Sequence, residues 1–199
     1  PIYMAGMVGS SNGWVDVPYV STPASVRKLA NKTYRFTLPW GETAYIVPGI
    51  SHKTDNDEFD VMRGEEVQIF GLINKVNTGS FSAVLPGTHS KHVIVQNDEL
   101  VLFDSYMTGE LFSVIREHTI IGRDIPQQRQ SHSAFVKGVL SGQNGGATSQ
   151  IFKARTGKIF TQIEENEVDD FLSGVLIGSE LKELDSESTY LVGNEKLCS

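Results

Sequence analysis

The sequence predicts an α/β protein, and three features of it carry that prediction. Two short runs rich in β-formers, Phe81 to Leu85 and His92 to Val95, flank a turn of small and polar residues and read as paired strands. Glu99 to Ser105 follows as a third strand, after which the apolar spacing changes to a helical period that recurs as far as Leu184. Upstream, the apolar run Ile2 to Val8 leads into Gly9-Ser10-Ser11-Asn12-Gly13-Trp14, a loop of the kind at which open α/β sheets bind ligands.

With 199 residues, 39% of them hydrophobic, the chain has material for one large core or two small ones. A net charge of −7 argues against nucleic acid or an anionic membrane as partner, since either favours a basic face. The single cysteine, Cys198, excludes an internal disulfide and a cysteine-based zinc site and suits a reducing compartment. Neither a signal peptide nor an apolar run long enough to span a bilayer is visible, so a cytoplasmic location is expected. The chain opens inside an apolar run without an initiator methionine and stops just after another strand-like run; a piece of a longer protein is expected.

In chain order, Ile2 to Val8 reads as a buried strand, and Trp14 either faces a ligand or plugs the edge of a core. Ala24 to Lys32 predicts a short helix; Tyr34 to Leu38 and Thr43 to Val47 predict strands, closed off by Pro48-Gly49. A polar acidic stretch, Thr54 to Asp60, then enters Asp60-Val61-Met62-Arg63-Gly64-Glu65-Glu66. From Glu65 onward Val67, Ile69, Phe70, Leu72 and Ile73 predict a helix whose dipole favours the two glutamates at its start. The same carboxylates suit a general base acting on a hydroxyl, with Arg63 available to an anionic substrate.

The turn between the paired strands holds Gly87, Thr88, His89, Ser90 and Lys91. A glycine that admits close approach, two hydroxyls, free N–H groups and a cation together suit a phosphate, although an ordinary hairpin uses the same residues and no Walker spacing is present. On a strand and turn His89 and His92 fall on different faces, so no metal site is read there. Met107-Thr108-Gly109-Glu110 starts a helix with Leu111, Val114, Ile115 and His118 on one face; His118, near its C-terminus, has a structural reading. After the polar loop Asp124 to Gln130, helical periods recur at Ser133 to Leu140, Thr148 to Phe160 and Val168 to Leu184, with Gly142 to Gly146 as a break. Gly174 and Gly178 in the last of these predict a closely packed neighbour. Thr189 to Val192 is a final strand, ending in the small-residue turn Gly193-Asn194.

Several blocks together resemble the 2-dehydro-3-deoxygalactonokinase family. They are Ala5-Gly6-Met7-Val8-Gly9-Ser10 with Gly13-Trp14, Asp60 to Glu66 with Gln68-Ile69-Phe70-Gly71, Leu85-Pro86-Gly87-Thr88-His89-Ser90-Lys91, Met107-Thr108-Gly109-Glu110-Leu111-Phe112, and Leu172-Ser173-Gly174 with Leu176-Ile177-Gly178-Ser179-Glu180. The resemblance implies an actin-like, ribonuclease-H-like sugar kinase fold, present as a truncated piece. Residues 1–72 would be the C-terminal part of a first, sugar-acid-binding domain and 73–199 a second, nucleotide-binding domain incomplete at its C-terminus. The implied reaction transfers the γ-phosphoryl group of ATP, with Mg²⁺, to the 6-hydroxyl of 2-dehydro-3-deoxy-D-galactonate; the partners are that sugar acid and ATP. Glu65 is the implied general base, with Asp60 and Glu66 as rivals. Ser10, Trp14 and Arg63 would meet the sugar acid, Gly87 to Lys91 the phosphates, and Gly193 with Asn194 the adenosine. Family members begin with a strand and an Asp-Trp-Gly-Thr-Thr-type loop that does not occur within these residues. A related kinase with another substrate, or an inactive nucleotide-binding fragment, is the alternative.

Overall fold

A computed structural model describes residues 1–184 and 189–194; Cys198 lies outside them. The chain is mixed α/β and divides into two compact units. The first comprises Pro1–Pro86, Lys91–Ser105 and the described end of the chain; the second comprises Gly87–Ser90 and the helices that follow Tyr106. Contacts therefore group residues 81–85 and 91–105 with the first unit, a different partition from a boundary at residues 72 and 73.

The first unit contains three small sheets. In one, β1 (Ile2–Met4) runs parallel to β4 (Thr43–Ile46), which pairs antiparallel with β3 (Tyr34–Thr37). In another, β2 (Val20–Ser21) runs parallel to β5 (Ile50–Lys53), and β5 forms an antiparallel pair with β6 (Phe59–Met62). The third has the order β10-β7-β8-β9, with β7 (Phe81–Leu85) antiparallel to β8 (Ser90–Gln96), β9 (Glu99–Tyr106) beside β8, and β10 (Thr189–Leu191) parallel to β7. The short helix α1 (Val26–Lys32) is capped by Ser25, and α2 (Glu65–Ile73) follows β6 directly.

One core joins the second and third sheets to the two helices. Ile50 and Met62 from the second sheet, Ile69 and Phe70 from α2, and Val93, Val95 and Phe103 from the third sheet are all buried in a single cluster. Ile69 and Phe70 lie four residues after Glu65 and Glu66, so the burial that anchors α2 also fixes the rotation of its acidic first turn.

The expected strand Ile2 to Val8 is shorter and more exposed than the sequence predicts. It ends at Met4 because Gly6 turns the chain at φ 85° into a 3-10 turn, Met7–Gly9. Strands β2, β5 and β6 were not anticipated. In the latter two, which pair with each other as a hairpin, His52, Lys53 and Asp60 interrupt the apolar pattern; the side-chain partners of His52 and Asp60, Thr22 and Ser105, are distant in sequence.

The second unit packs α3 (Thr108–His118), α4 (His132–Gln143), α5 (Ala147–Ile159) and α6 (Val168–Glu180) around Ile115, Ala134, Ala154, Leu172 and Val175. The glycines of α6 do have a neighbour. A Cβ on Gly174 would stand 2.1 Å from the Phe135 carbonyl oxygen of α4, and one on Gly178 would stand 2.2 Å from that of Val139. Backbone against backbone at this range leaves no room for a methyl group. No helix among the described residues is long and apolar enough to cross a membrane. We predict that Gly174→Ala destabilises the protein by about 1–3 kcal/mol in urea unfolding, an overpacking cost that outweighs the gain in helix propensity. Equal or higher stability would show that α4 and α6 are not held this closely.

Candidate functional site

The junction of β6 with α2 gathers an arginine and two carboxylates in the first unit. Gly64 has φ 118° and no residue with a side chain fits that conformation without strain. At this corner the two glutamates fold back on the chain: Glu65 Oε2 accepts the Arg63 N–H at 3.1 Å, and Glu66 Oε2 accepts the Gly64 N–H at 2.5 Å. Both thereby satisfy donors at the helix start, where its dipole favours negative charge.

The two carboxylates differ in access. Glu66 is 0% exposed, and its Oε1 has no hydrogen-bond partner among the described residues. Burial raises its pKa from 4.5 to about 7, aided by the charge of Glu65 and opposed by the Gly64 N–H, its own N–H and Arg63. Glu65 is only partly buried and keeps its second oxygen out of any hydrogen bond among the described residues.

Arg63 sits in the same corner with most of its hydrogen-bonding capacity unused. Its Nη2 donates to the Val17 carbonyl at 2.8 Å and its guanidinium lies 4.2 Å from the centre of the Tyr19 ring, yet Nε and Nη1 are buried without a hydrogen-bond partner among the described residues. The Gly6–Trp14 loop reaches this cation through Gly9, where a Cβ would be 3.0 Å from Nη1. Ser10 in that loop donates to the Met7 carbonyl at 2.8 Å. Trp14 is 53% exposed and meets Phe36 edge-on, so it does not plug a core.

Asp60 is held apart from the glutamates in a network of its own. Its Oδ1 accepts the Val61 N–H at 2.6 Å and the Ser105 hydroxyl at 2.7 Å. Lys91 donates to Ser105 Oγ and, at 2.9 Å, to the Val61 carbonyl. Only 4% of Lys91 is exposed, so its ammonium is engaged inside the first unit and does not stand free as the point charge the sequence suggested. The cause is the Ser105 and Val61 acceptors, which a reading of residues 87–91 does not contain.

In the second unit the turn Gly87–Ser90 is seated on the start of α3. Glu110 donates its N–H to the Thr88 carbonyl at 3.0 Å, and the Glu110 carboxylate meets His89 Nε2 at 2.5 Å. None of the Gly87, Thr88 and His89 N–H groups donates to a backbone acceptor among the described residues. Thr108 donates to Glu180, a buried carboxylate at the end of α6. Gly193 and Asn194 are exposed and follow β10 at its carboxyl end.

Thus Ser10, Arg63, Glu65 and Glu66 are grouped through the Gly9 and Gly64 backbone, Asp60 joins Lys91, and Gly87 to His89 join Glu110. Tyr19, Ser105, Glu110 and Glu180 are the partners the sequence reading did not assign; only the last two stood within recognisable blocks.

These features define a mixed α/β protein with an acidic, arginine-bearing corner before one helix and a glycine-hydroxyl turn seated on another. A sequence model of the 2-keto-3-deoxy-galactonokinase family matches residues 1–199, and the chain belongs to that family. It is 37% identical over 182 residues to the 2-dehydro-3-deoxygalactonokinase of Escherichia coli strain K12, covering 91% of this chain and 60% of that protein. It is 33% identical over 187 residues to a probable 2-dehydro-3-deoxygalactonokinase of Rhizobium meliloti strain 1021, with the same coverage. A crystal structure described as a candidate 2-dehydro-3-deoxygalactonokinase from Sinorhizobium meliloti matches with a TM-score of 0.88 and 32% identity, over 98% of this chain and 66% of that one. The chain spans 60% of the length of the curated relatives it matches.

Glu66 gives a sign-defined pH effect. Unfolded, this carboxyl ionises near 4.5; folded, it keeps its proton to about 7, so the native state binds the extra proton between those values and loses stability as pH rises through them. Glu66→Gln keeps an acceptor for Gly64 and cannot ionise. We predict that the variant gains ~3 kcal/mol on the wild type between the two ends of that window in urea melts. A difference independent of pH would contradict the buried, protonated state.

Proposed function

We propose that the protein to which these residues belong phosphorylates a 2-keto-3-deoxy sugar acid, with 2-dehydro-3-deoxy-D-galactonate as substrate and ATP as donor. The observation that carries this reading is Arg63. A buried guanidinium whose Nε and Nη1 lack acceptors among the described residues is costly unless an anion completes it, and a sugar-acid carboxylate offers a charged acceptor to either nitrogen. Relatives bearing the kinase name supply the chemistry.

The roles follow from access. Glu65, with one oxygen held by Arg63 N–H and the other unengaged, orients the acceptor hydroxyl and takes its proton; Asp60, with one oxygen fixed by Ser105, is the rival. Glu66 is too deeply buried for that part. Ser10 and Trp14 line the sugar side. Gly87, Thr88, His89 and Ser90 receive the phosphate tail, and Lys91 joins them only by exchanging Ser105 and Val61 for phosphate. Gly193 and Asn194 take the adenosine. The open N–H groups of the turn fit a polyphosphate.

Among the described residues no group of three or more acidic, histidine or cysteine side chains forms a metal cage. Mg²⁺ in phosphoryl transfer needs only one or two carboxylates besides phosphate oxygens, and Asp60 and Glu65 each offer a free oxygen; the ion neutralises phosphate charge when bound. An actin-like arrangement, with 1–72 in a sugar-acid domain and 73–199 in a nucleotide domain, belongs to the same proposal, as does action in the cytoplasm. The 60% coverage favours one alternative, that these residues alone bind nucleotide without turnover.

Steady-state kinetics of the natural full-length protein, with the galactonate and gluconate epimers, test the reading. Arg63→Gln should raise KM for the sugar acid by about 10- to 100-fold with a smaller effect on kcat, the loss expected for a charge-assisted bond. Glu65→Gln should lower kcat by about 10²- to 10⁴-fold. No turnover of either epimer by the wild type refutes the assignment.

A further inference from the structure

We propose that Glu110 is the positioning residue of His89, gripping one side of the imidazole so that its free nitrogen is presented to the phosphate tail bound at the Gly87–Ser90 turn. This rests on the phosphate role proposed for that turn and adds a residue outside it. His89 Nε2 meets Glu110 Oε2 at 2.5 Å, which makes Nε2 the donating nitrogen and leaves Nδ1 as the unpaired edge of the ring among the described residues. A ring bonded through Nδ1 to a phosphate oxygen donates from both nitrogens, and the Glu110 carboxylate balances the resulting charge.

Glu110 is fixed well enough to do this. It holds the turn twice, by its carboxylate on His89 and by its N–H on the Thr88 carbonyl at 3.0 Å. The residue before it, Gly109, permits that seating: a Cβ there would stand 2.4 Å from the Gly87 oxygen and 2.9 Å from Thr88 Cα. The residue before that, Thr108, donates to the buried Glu180 at the end of α6, the helix that carries Leu172 and Val175 in the core of the unit. A line of contacts thus runs from a packed core to an exposed histidine.

The pair itself contributes little to folding. His89 and Glu110 are 50% and 41% exposed, and ion pairs so open to solvent add little stability.

The test is a double-mutant cycle in the natural full-length protein with His89→Asn, Glu110→Gln and the pair combined, read by calorimetric titration of Mg·ATP, by KM and kcat, and by thermal melting. We expect Glu110→Gln to weaken Mg·ATP binding by about 10-fold, His89→Asn to weaken it at least as much, and the double variant to be no worse than His89→Asn alone. KM for the sugar acid should stay unchanged and the melting temperature should move by no more than about 2 °C. Unchanged nucleotide affinity in Glu110→Gln, multiplying losses in the double variant, or a large fall in melting temperature with normal affinity would each overturn the proposal, as would a wild type that binds no Mg·ATP. A wild type that binds Mg·ATP with the expected cycle but phosphorylates no sugar acid would leave this inference standing and remove the substrate assignment.

Discussion

Two glycines standing back to back decide what the acidic corner can do. Gly6 at φ 85° and Gly64 at φ 118° both adopt conformations that residues with a Cβ rarely enter, and a Cβ on Gly64 would lie 3.4 Å from Gly6 Cα. This contact joins the loop after β1 to the junction of β6 and α2. It brings Gly9 against Arg63 and turns the Arg63 and Gly64 N–H groups towards the glutamates that follow. Without it the Gly9 backbone and Ser10 would be apart from the Arg63–Glu66 corner.

The corner then sorts its carboxylates by burial. Ile69 and Phe70 draw α2 into the core, and the residue one turn before Phe70, Glu66, goes with it. Its neighbour Glu65 stays within reach of water and retains one oxygen for chemistry. Adjacent acidic residues thus acquire different tasks, a buried carboxyl that keeps its proton up to about pH 7 and a candidate base, from helix rotation alone. The second unit follows the same logic with different parts. Close backbone packing of α4 on α6 sets the end of α6, Glu180 fixes Thr108, and the first turn of α3 carries the glycine-hydroxyl turn.

Much of this was legible in the sequence, for physical reasons that also mark the limits. The β7–β8 hairpin, β9 and the helices from Glu65 onward declare themselves because their apolar spacing matches their geometry. The glycines of α6 announced a close neighbour, since nothing else offsets their cost in a helix. Arg63 and Glu65 were identifiable because a helix start concentrates charge. Strands β5 and β6 were hidden because polar residues such as His52 and Asp60 occupy them, and their pairing is with each other and with elements far along the chain. Lys91 shows the same limit for a side chain: its neighbours in sequence suggested phosphate, and its neighbours in space are Ser105 and Val61. Long-range partners such as Glu110 for His89 leave no spacing to read.

Arg63, whose Nε and Nη1 lack acceptors among the described residues, is the proposed anchor of the substrate carboxylate. A crystal structure of the natural full-length protein with 2-dehydro-3-deoxy-D-galactonate bound tests this most directly. The expected result is the substrate carboxylate about 3 Å from Arg63 Nη1 or Nε, with the acceptor hydroxyl on the free oxygen of Glu65. A carboxylate held by another cation, with Arg63 still lacking acceptors at both nitrogens, would contradict it.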